Sequence, residues 1–278
     1  MRYYRTIGLM ISQMQELAFR VHGALDEPWS KKSGRPRACG FYQAVEIACM
    51  YLRQNCTQEF LGDMRDLSQP TVSRIVTALV PAVKAALEEF VPSAADAIEM
   101  VKGRVCLVDG TITPCWSYDD HRELWSRKHG TTGFNAQLVC LLNGDAIYVS
   151  DPLPGRTHDA AAFRETPVEG IVRESGGGIG DKGYQGCGMV TPRKTPPGGA
   201  LSTGDKKDNA VISAFRAAVE KVVAHFKNWR IFHSDYRRPY GTYREAYDAA
   251  RGLFFFAIKW GCRVARGNLT PGLPRNGT

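Results

Sequence analysis

The segment 176–186 places a single acidic residue between an apolar approach and a glycine-rich exit. Three consecutive glycines at its start exclude a helix, so a short strand fits residues 178–181. Gly183 and Gly186 then let the backbone turn sharply after that strand. We therefore expect Asp181 at the C-terminal end of a strand, where ligands and chemistry collect in open α/β sheets. The alternative is that Asp181 only caps the turn that follows it.

A second acid follows a second apolar run. The segment 104–111 is apolar until Asp109 and Gly110, which predicts a buried central strand with Asp109 at its C-terminal end. Two further strand-like runs, 134–142 and 146–151, are joined by an Asn-Gly-Asp turn, a strong hairpin signal. Together these runs predict an α/β domain built on a mixed sheet.

The third acid lies on a helix. An amphipathic helix is predicted over residues 209–227, after a strand-like run at 189–193 and a polar loop at 194–208. One flank of its apolar face, a stripe roughly 60° wide, carries Ser213, Arg216, Glu220 and Lys227. Glu220 either forms an ordinary i,i+4 ion pair with Arg216 or lies at the rim of a cleft, with cations ready for phosphate.

Asp109, Asp181 and Glu220 come from two strand ends and a helix flank that a mixed sheet would bring together. Converging carboxylates repel one another unless a divalent cation lies among them, which predicts Mg²⁺ or Mn²⁺. Two such ions about 4 Å apart activate a water or a 3′-hydroxyl and stabilise the leaving oxygen of a phosphodiester. Arg216 and Lys227 would then hold the scissile or flanking phosphates.

The segment between the first strand and the hairpin mixes basic and aromatic residues. Arg127 and Lys128 lie near Trp116 and Trp125, a combination suited to a nucleic-acid backbone and exposed bases. A solvated loop is the alternative.

A short helix is expected after the hairpin. Thr157 is predicted to cap it, and it runs through residue 164 with His158 and Asp159 in its first turn, close to the strand ends. His158 would then either bind a metal or phosphate or be a hydrogen-bonded structural histidine.

The first hundred residues have helical periodicity. Helices are predicted to about residue 22 and over 42–55, then a short helix with Thr57 as N-cap and a third helix capped by Ser68. This order predicts a helix-turn-helix at about 57–79, because a tight turn precedes a helix with a polar outer face. The outward residues able to enter the major groove are Gln69, Thr71, Ser73 and Arg74. A plain three-helix packing unit shares the same periodicity.

A basic segment interrupts these helices. The Gly-Arg-Pro-Arg run at 34–37 resembles arms that insert Arg35 and Arg37 into a narrow minor groove, and a solvated linker is the alternative. The whole chain has 36 Lys and Arg against 28 Asp and Glu, with a pI near 9.1. This charge favours a polyanionic partner.

The remaining composition indicates a soluble intracellular protein. Neither an apolar run of membrane-spanning length nor a signal-peptide pattern is present, so we expect no membrane partner. The eight cysteines contain no C-x-x-C pair, and we expect most of them to be reduced and buried.

These motifs together resemble bacterial insertion-sequence transposases of the DDE superfamily, in the group related to Harbinger transposases. The resemblance extends over about residues 8–262 and rests on five stretches of sequence. They are Leu-Ser-Gln-Pro-Thr-Val-Ser-Arg at 67–74, Val-Asp-Gly-Thr at 108–111, Gly-Arg-Thr-His-Asp at 155–159, Gly-Asp-Lys-Gly-Tyr at 180–184, and the series Arg216, Glu220 and Lys227.

The resemblance implies an all-α helix-turn-helix domain at 1–92, an RNase H-like catalytic domain at 93–265 and a flexible tail at 266–278. It also implies that Asp109, Asp181 and Glu220 bind two Mg²⁺ or Mn²⁺ ions. The implied activity is cleavage and strand transfer of double-stranded DNA at terminal inverted repeats. The protein would act as a homo-oligomer on DNA, in the bacterial cytoplasm and associated with the nucleoid.

Two features depart from related sequences. Ser213 stands where the related signature has Tyr, and the 39 residues from Asp181 to Glu220 leave no room for a large insertion domain. A helix-turn-helix regulator, or a domesticated transposase that binds DNA without cutting it, is the alternative function. A metal-dependent nuclease without strand transfer is a third.

Overall fold

The computed structural model describes residues 3–30 and 36–265, which form two compact units. One unit contains the described residues up to Val91 together with those from Asp248 onward, and the other runs from Pro92 to Tyr247. The predicted boundary at 92/93 lies one residue from this division. The described residues from Asp248, which we expected in the catalytic domain, group with the N-terminal helices. Arg35 and the expected tail at 266–278 lie outside the described residues.

The N-terminal unit is helical apart from a two-stranded antiparallel ribbon. Its elements are β1 (Tyr3–Tyr4), β2 (Leu9–Met10), α1 (Ile11–Gly23), α2 (Phe41–Gln54), α3 (Gln58–Arg65) and α4 (Gln69–Leu87). The last described helix, α9 (Tyr243–Ala265), contributes its residues from Asp248 onward. The inward side of α4 is buried as its periodicity predicts, with Val72, Ile75, Val76 and Leu79 at its centre.

The turn between α3 and α4 depends on a glycine. The Leu67 N–H donates to the Gly62 carbonyl at 2.9 Å, and a Cβ at Gly62 would lie 2.4 Å from the Leu67 carbonyl oxygen. Asp66 ends α3 in the left-handed region, with φ of 55°. Thr57 caps α3 by accepting from the Phe60 N–H at 3.2 Å, as predicted. Ser68 occupies the N-cap position of α4, but its hydroxyl pairs with the Thr71 hydroxyl instead of a backbone N–H.

The second unit is mixed α/β, as predicted. In chain order it contains α5 (Ala94–Val101), β3 (Val105–Pro114), β4 (Trp125–Ser126), β5 (Thr131–Leu141), β6 (Ala146–Val149), β7 (Leu153–Pro154), α6 (Asp159–Glu165), α7 (Val168–Arg173), β8 (Gly177–Ile179) and α8 (Thr203–Lys227). The described strands form a sheet in the order β4-β5-β3-β8, with β6 and β7 also paired to β5. β3 pairs antiparallel with β5 and parallel with β8, so the sheet is mixed.

Helices pack against this sheet and bury its centre. One apolar cluster joins β3 residues Cys106 and Val108 to Phe163 of α6 and Ile171 of α7. α8 packs against β3 and β5. The seven cysteines whose side chains the structure describes are free thiols, as expected. Among the described helices, none has both the length and the apolar character that crossing a membrane would require.

Four sequence expectations about this unit were wrong in detail. The N-cap residue of α6 is His158 and not Thr157. β3 continues five residues past Asp109, because it stays paired with β5 as far as Pro114 and Gly133. The run 189–193 forms a single bridge, Val190 with Ile179, since Pro192 lacks the N–H that a ladder needs. α8 begins at Thr203, six residues early, because the Ser202 hydroxyl accepts from the Asp205 N–H at 3.0 Å and caps it.

Candidate active site

Asp109 on β3 and Asp181 just after β8 occupy equivalent positions beside the end of the register between these two strands. The parallel register between β3 and β8 ends at the pair Leu107 and Ile179, and each acid follows two residues later. Successive strand side chains alternate between faces, so both acids continue the face of their last paired residue. The structure therefore brings two of the three predicted acids together at the point where β8 leaves β3.

Asp181 also caps the turn that follows it. It is the N-cap of a 3₁₀ turn at Lys182–Tyr184, and its Oδ1 accepts from the Gly183 N–H at 2.7 Å. Both interpretations of the glycine-rich segment therefore hold, since the acid lies after a strand and caps a turn. The hydrogen bond fixes one carboxylate oxygen and leaves the other available.

The Asp109 carboxyl group is poorly compensated. Burial raises its pKa to about 6; Arg216 opposes this shift, while the carboxylates of Asp181 and Asp159 add to it. Its side chain is 18% exposed. A carboxyl group with this pKa is ionised at neutral pH, and a cation that enters the site would offset the charge that burial disfavours. Together with Asp181 it forms a pair of oxygen donors that fits a divalent ion.

Arg216 lies between Asp109 and the third predicted acid. Its guanidinium is 3.7 Å from Asp109 Oδ1 and 3.8 Å from Glu220 Oε1, so it forms long ion pairs with both. Its Nε is buried and has no hydrogen-bond partner. The Glu220 side chain is 59% exposed, and the i,i+4 pair with Arg216 expected from the sequence is present.

The three predicted acids do not form one preformed metal site. Within the described residues, no group of three or more His, Cys, Asp or Glu side chains is placed to hold a metal ion. Asp109 and Asp181 supply two adjacent carboxylates, and Glu220 is separated from Asp109 by the Arg216 guanidinium. Glu220 as a metal ligand stays a prediction.

Asp159 is a site residue that the sequence did not identify. Its side chain is 7% exposed and lies against the backbone beside both strand-end acids. A Cβ at Gly110 would be 2.4 Å from Asp159 Oδ1, and a Cβ at Gly183 would be 2.9 Å from its Oδ2. Asn135 donates to Oδ1 at 3.4 Å. The sequence placed it in a helix near the strand ends and within one of the five stretches of the resemblance, but gave it no role.

Two lysines lie close to these acids. Lys128 Nζ donates to Asp159 Oδ2 at 2.5 Å. Burial lowers the pKa of Lys128, but the hydrogen bond to Asp159 and the charges of Asp159, Asp181 and Asp109 outweigh it and raise the pKa overall. Burial lowers the pKa of Lys227, and Asp109 opposes that shift. Two predicted phosphate ligands therefore face the acids.

A basic cavity opens beside Lys128 and Asp159. It has a volume of about 240 Å³. The charged and aromatic residues that line it, apart from this pair, are Trp125, Arg127, His129, Arg156 and His158. Burial and the neighbouring Lys128 lower the pKa of His129. His158 is the exposed N-cap residue of α6, without a side-chain capping bond.

The predicted DNA contacts of the N-terminal unit lie at the start of α4. Gln69 and Arg74 are exposed, Thr71 and Ser73 are half-buried, and Gln69 Nε2 donates to Gln58 Oε1 at 2.8 Å. Arg37 is held by Trp29, because its Nε donates to the Trp29 carbonyl at 2.6 Å and its guanidinium lies 4.0 Å from the ring centroid. The arm suggested by the sequence is therefore anchored at Arg37.

Comparison with known proteins identifies a family for the second unit. No curated protein and no solved structure matches the chain. Residues 108–252 match the family described as DDE superfamily endonuclease, over just over half of the 278 residues. The matched region contains Asp109, Asp159, Asp181 and Glu220. The chain therefore belongs to the DDE superfamily endonucleases.

Proposed function

We propose that this protein is the transposase of a bacterial insertion sequence related to the Harbinger group. An RNase H-like unit cuts DNA at the terminal inverted repeats and joins the freed 3′ ends to target DNA. The observation that carries the proposal is that Asp109 and Asp181 lie abreast at the end of the β3 and β8 register, inside the region matched by the endonuclease family.

Asp109, Asp181 and Glu220 are the proposed ligands of two Mg²⁺ or Mn²⁺ ions. When bound, such ions lower the pKa of a water or 3′-hydroxyl and stabilise the leaving oxygen of a phosphodiester. Glu220 is held by one ion pair of 3.8 Å and is mostly exposed, an arrangement worth at most about 0.5 kcal/mol. Its carboxylate therefore turns towards Asp109 at little cost when Arg216 takes another partner.

Arg216 and Lys227 are the proposed phosphate ligands beside the acids. The buried Nε of Arg216 is a donor without an acceptor, and a phosphate oxygen would satisfy it. Arg127 and Lys128 extend this basic surface to the cavity beside Asp159. DNA bound here brings its own negative charge to a site that already holds three carboxylates, so these cations offset the repulsion.

The N-terminal unit is the proposed domain that binds a specific DNA sequence. α3 and α4 form a helix-turn-helix whose tight turn depends on Gly62, and α4 enters the major groove with Gln69, Thr71, Ser73 and Arg74. Arg35 and Arg37 contact the adjacent minor groove, and Arg37 exchanges its contacts with Trp29 for the DNA when it does so. Double-stranded DNA is the partner, two copies or more pair the element ends, and the protein acts in the cytoplasm at the nucleoid.

The decisive experiment uses the inverted repeats that flank the gene. Asp109→Asn, Asp181→Asn and Glu220→Gln each abolish Mg²⁺-dependent cleavage of this DNA while gel-shift binding persists. Glu99→Gln, which removes an exposed surface pair with Lys102, cleaves like the wild type. Normal cleavage by Asp109→Asn or Asp181→Asn disproves the assignment of the strand-end acids. Normal cleavage by Glu220→Gln alone places the third ligand elsewhere.

A DNA-binding protein without nuclease activity is the second candidate. It is favoured by one observation, the separation of Glu220 from the other two acids within the described residues. This candidate predicts a gel shift insensitive to EDTA and no nicking in Mn²⁺. Strand transfer is tested separately by adding a pre-cut 3′-hydroxyl end and a supercoiled target plasmid, because a simple nuclease leaves the target unjoined.

A further inference from the structure

The buried Asp159 touches the two backbone segments that carry the proposed metal ligands. Gly110 directly follows Asp109, and the N–H of Gly183 donates to Asp181. The Asp159 carboxylate fills the space where a side chain would project at both glycines, at 2.4 Å and 2.9 Å from the two Cβ positions. One carboxylate thus packs against both segments at once.

Asp159 lies on the opposite side of β3 from the Asp109 side chain. Neighbouring strand residues point to opposite faces, so the face of Gly110 is not the face of Asp109. On the Gly110 face, Gln137 lies 2.9 Å from the same Cβ position and accepts from the Tyr184 hydroxyl at 2.6 Å. Asp159 therefore packs against the face of β3 opposite the Asp109 side chain, and it is not placed as a third ligand beside Asp109.

A buried carboxylate needs a counter-charge, and Lys128 supplies it. Lys128 Nζ donates to Asp159 Oδ2 at 2.5 Å, and the Lys128 side chain is half exposed. Asn135 is fixed beside the pair, donating to the Thr157 carbonyl at 2.9 Å. An ion pair with these extra hydrogen bonds holds one geometry, whereas either partner alone would be an uncompensated charge.

We propose that Asp159 and Lys128 are positioning residues that hold the Asp109 and Asp181 segments in register for metal binding. This inference rests on the proposed function of those two acids. Asp159 acts through the backbone at Gly110 and Gly183 and does not itself bind the metal or the DNA, and Lys128 contributes by holding Asp159 in place. Removing one partner should loosen both segments together, because the same carboxylate supports both.

The first test uses metal-free protein and does not depend on activity. Hydrogen–deuterium exchange is measured for the wild type, Asp159→Asn, Lys128→Met and the double variant. Both single variants should exchange roughly tenfold faster in the peptides that cover 105–114 and 178–186. The matched control is Glu99→Gln, which removes an exposed pair with the same 2.5 Å distance and leaves both peptides unchanged. Unchanged exchange in Asp159→Asn overturns the proposal.

The second test separates positioning from ligation. Asp159→Asn should bind the same number of Mn²⁺ ions as the wild type, with affinity and kcat lowered roughly 10–100-fold and KM for DNA unchanged. Loss of one Mn²⁺ ion per chain would instead make Asp159 a ligand and overturn the proposal. The double variant should lose no more Mn²⁺ affinity and kcat than the more impaired single variant, since the partners act as one unit. Additive losses contradict the pairing.

The two tests also separate this inference from the proposed function. If the wild type neither binds Mn²⁺ nor cuts DNA, the transposase assignment fails, and the exchange result still decides whether Asp159 supports the two segments. If the wild type cuts DNA and folded Asp159→Asn cuts it equally well, the positioning role fails and the enzyme assignment stands. Lys128→Met keeps the test decisive if Asp159→Asn does not fold, because Lys128 is half exposed.

Discussion

Replacing Asp109 with Asn should stabilise the metal-free protein at neutral pH while destroying its activity. The pKa of Asp109 is raised from 3.8 to about 6, chiefly by burial. This pKa difference of roughly 2 units, at 1.36 kcal/mol each, means that the buried charge lowers the free energy of unfolding by about 3 kcal/mol. The gain in the variant is at most this large, because Arg216 loses one of its two ion-pair partners. Asn has no charge to bury, so the variant avoids most of this cost.

The direction of the pH dependence follows from the raised pKa. Above pH 6 Asp109 is ionised in both folded and unfolded chains, and the folded state carries the full penalty of the buried charge. Below the ordinary pKa of 3.8 the group is mostly protonated in both states, so the penalty is small. Between these limits the unfolded chain loses its proton first, so stability falls as pH rises. The advantage of Asp109→Asn should therefore grow from pH 4 to pH 6.

Thermal unfolding between pH 4 and pH 8 measures this effect. At pH 8 Asp109→Asn should melt roughly 6–12 °C above the wild type in EDTA, and most of this difference should be lost near pH 4. Mn²⁺ should raise the melting temperature of the wild type and leave the variant unchanged. Glu99→Gln controls for loss of a surface carboxylate. An equal or lower melting temperature for Asp109→Asn at pH 8, or a gain at pH 4 as large as that at pH 8, refutes the reasoning.

Two further predictions test DNA binding by the N-terminal unit and the proposed phosphate contact of α8. Gly62→Ala places a Cβ 2.4 Å from the Leu67 carbonyl oxygen, so it should lower the free energy of unfolding by about 1–3 kcal/mol and abolish specific DNA binding. Gly23→Ala has open space at its Cβ and should change neither property. Urea unfolding and gel-shift assays measure the two effects. Lys227→Met should lower kcat/KM for cleavage roughly 10–100-fold, because it removes a charge-assisted phosphate contact. Lys221→Met, on the exposed side of the same helix, should leave kcat/KM unchanged. Equal losses in both variants would show that general positive charge, and not a specific contact, is responsible.

The positions of Asp109 and Asp181 were predictable because the local sequence pattern determines them. An apolar run followed by Asp and Gly, and a glycine-flanked run followed by Asp, specify where two strands lie and where an acid follows. That β8 would pair parallel with β3, with Asp109 and Asp181 at equal distances from the last pair, depends on tertiary packing. The sequence therefore predicted that Asp109 and Asp181 meet, although it placed Glu220 with them as well, and the register shows where the two acids meet.

Asp159 could not be selected in the same way, because its environment is nonlocal. Its burial depends on Gly110, Gly183 and Lys128, which come from three separate segments of the chain. A Thr-His-Asp sequence before a helix gives equal support to an exposed cap. The early start of α8 escaped prediction for a different reason, since the first turn capped by Ser202 is polar and has no apolar period to detect.

Glu220 differs from the other two acids in how it is held, and this difference bears on the order of events at the site. Strand pairing fixes the backbone of Asp109, and a turn hydrogen bond fixes Asp181, whereas a single long ion pair to Arg216 positions Glu220. The same guanidinium neutralises part of the charge on Asp109. A phosphate that draws Arg216 away would uncover both carboxylates at once, so bound DNA would favour the arrangement that completes the site. Mn²⁺ affinity should consequently rise when inverted-repeat DNA is present, and Arg216→Gln should remove most of that coupling; an affinity that is independent of DNA would show that the three acids assemble without it.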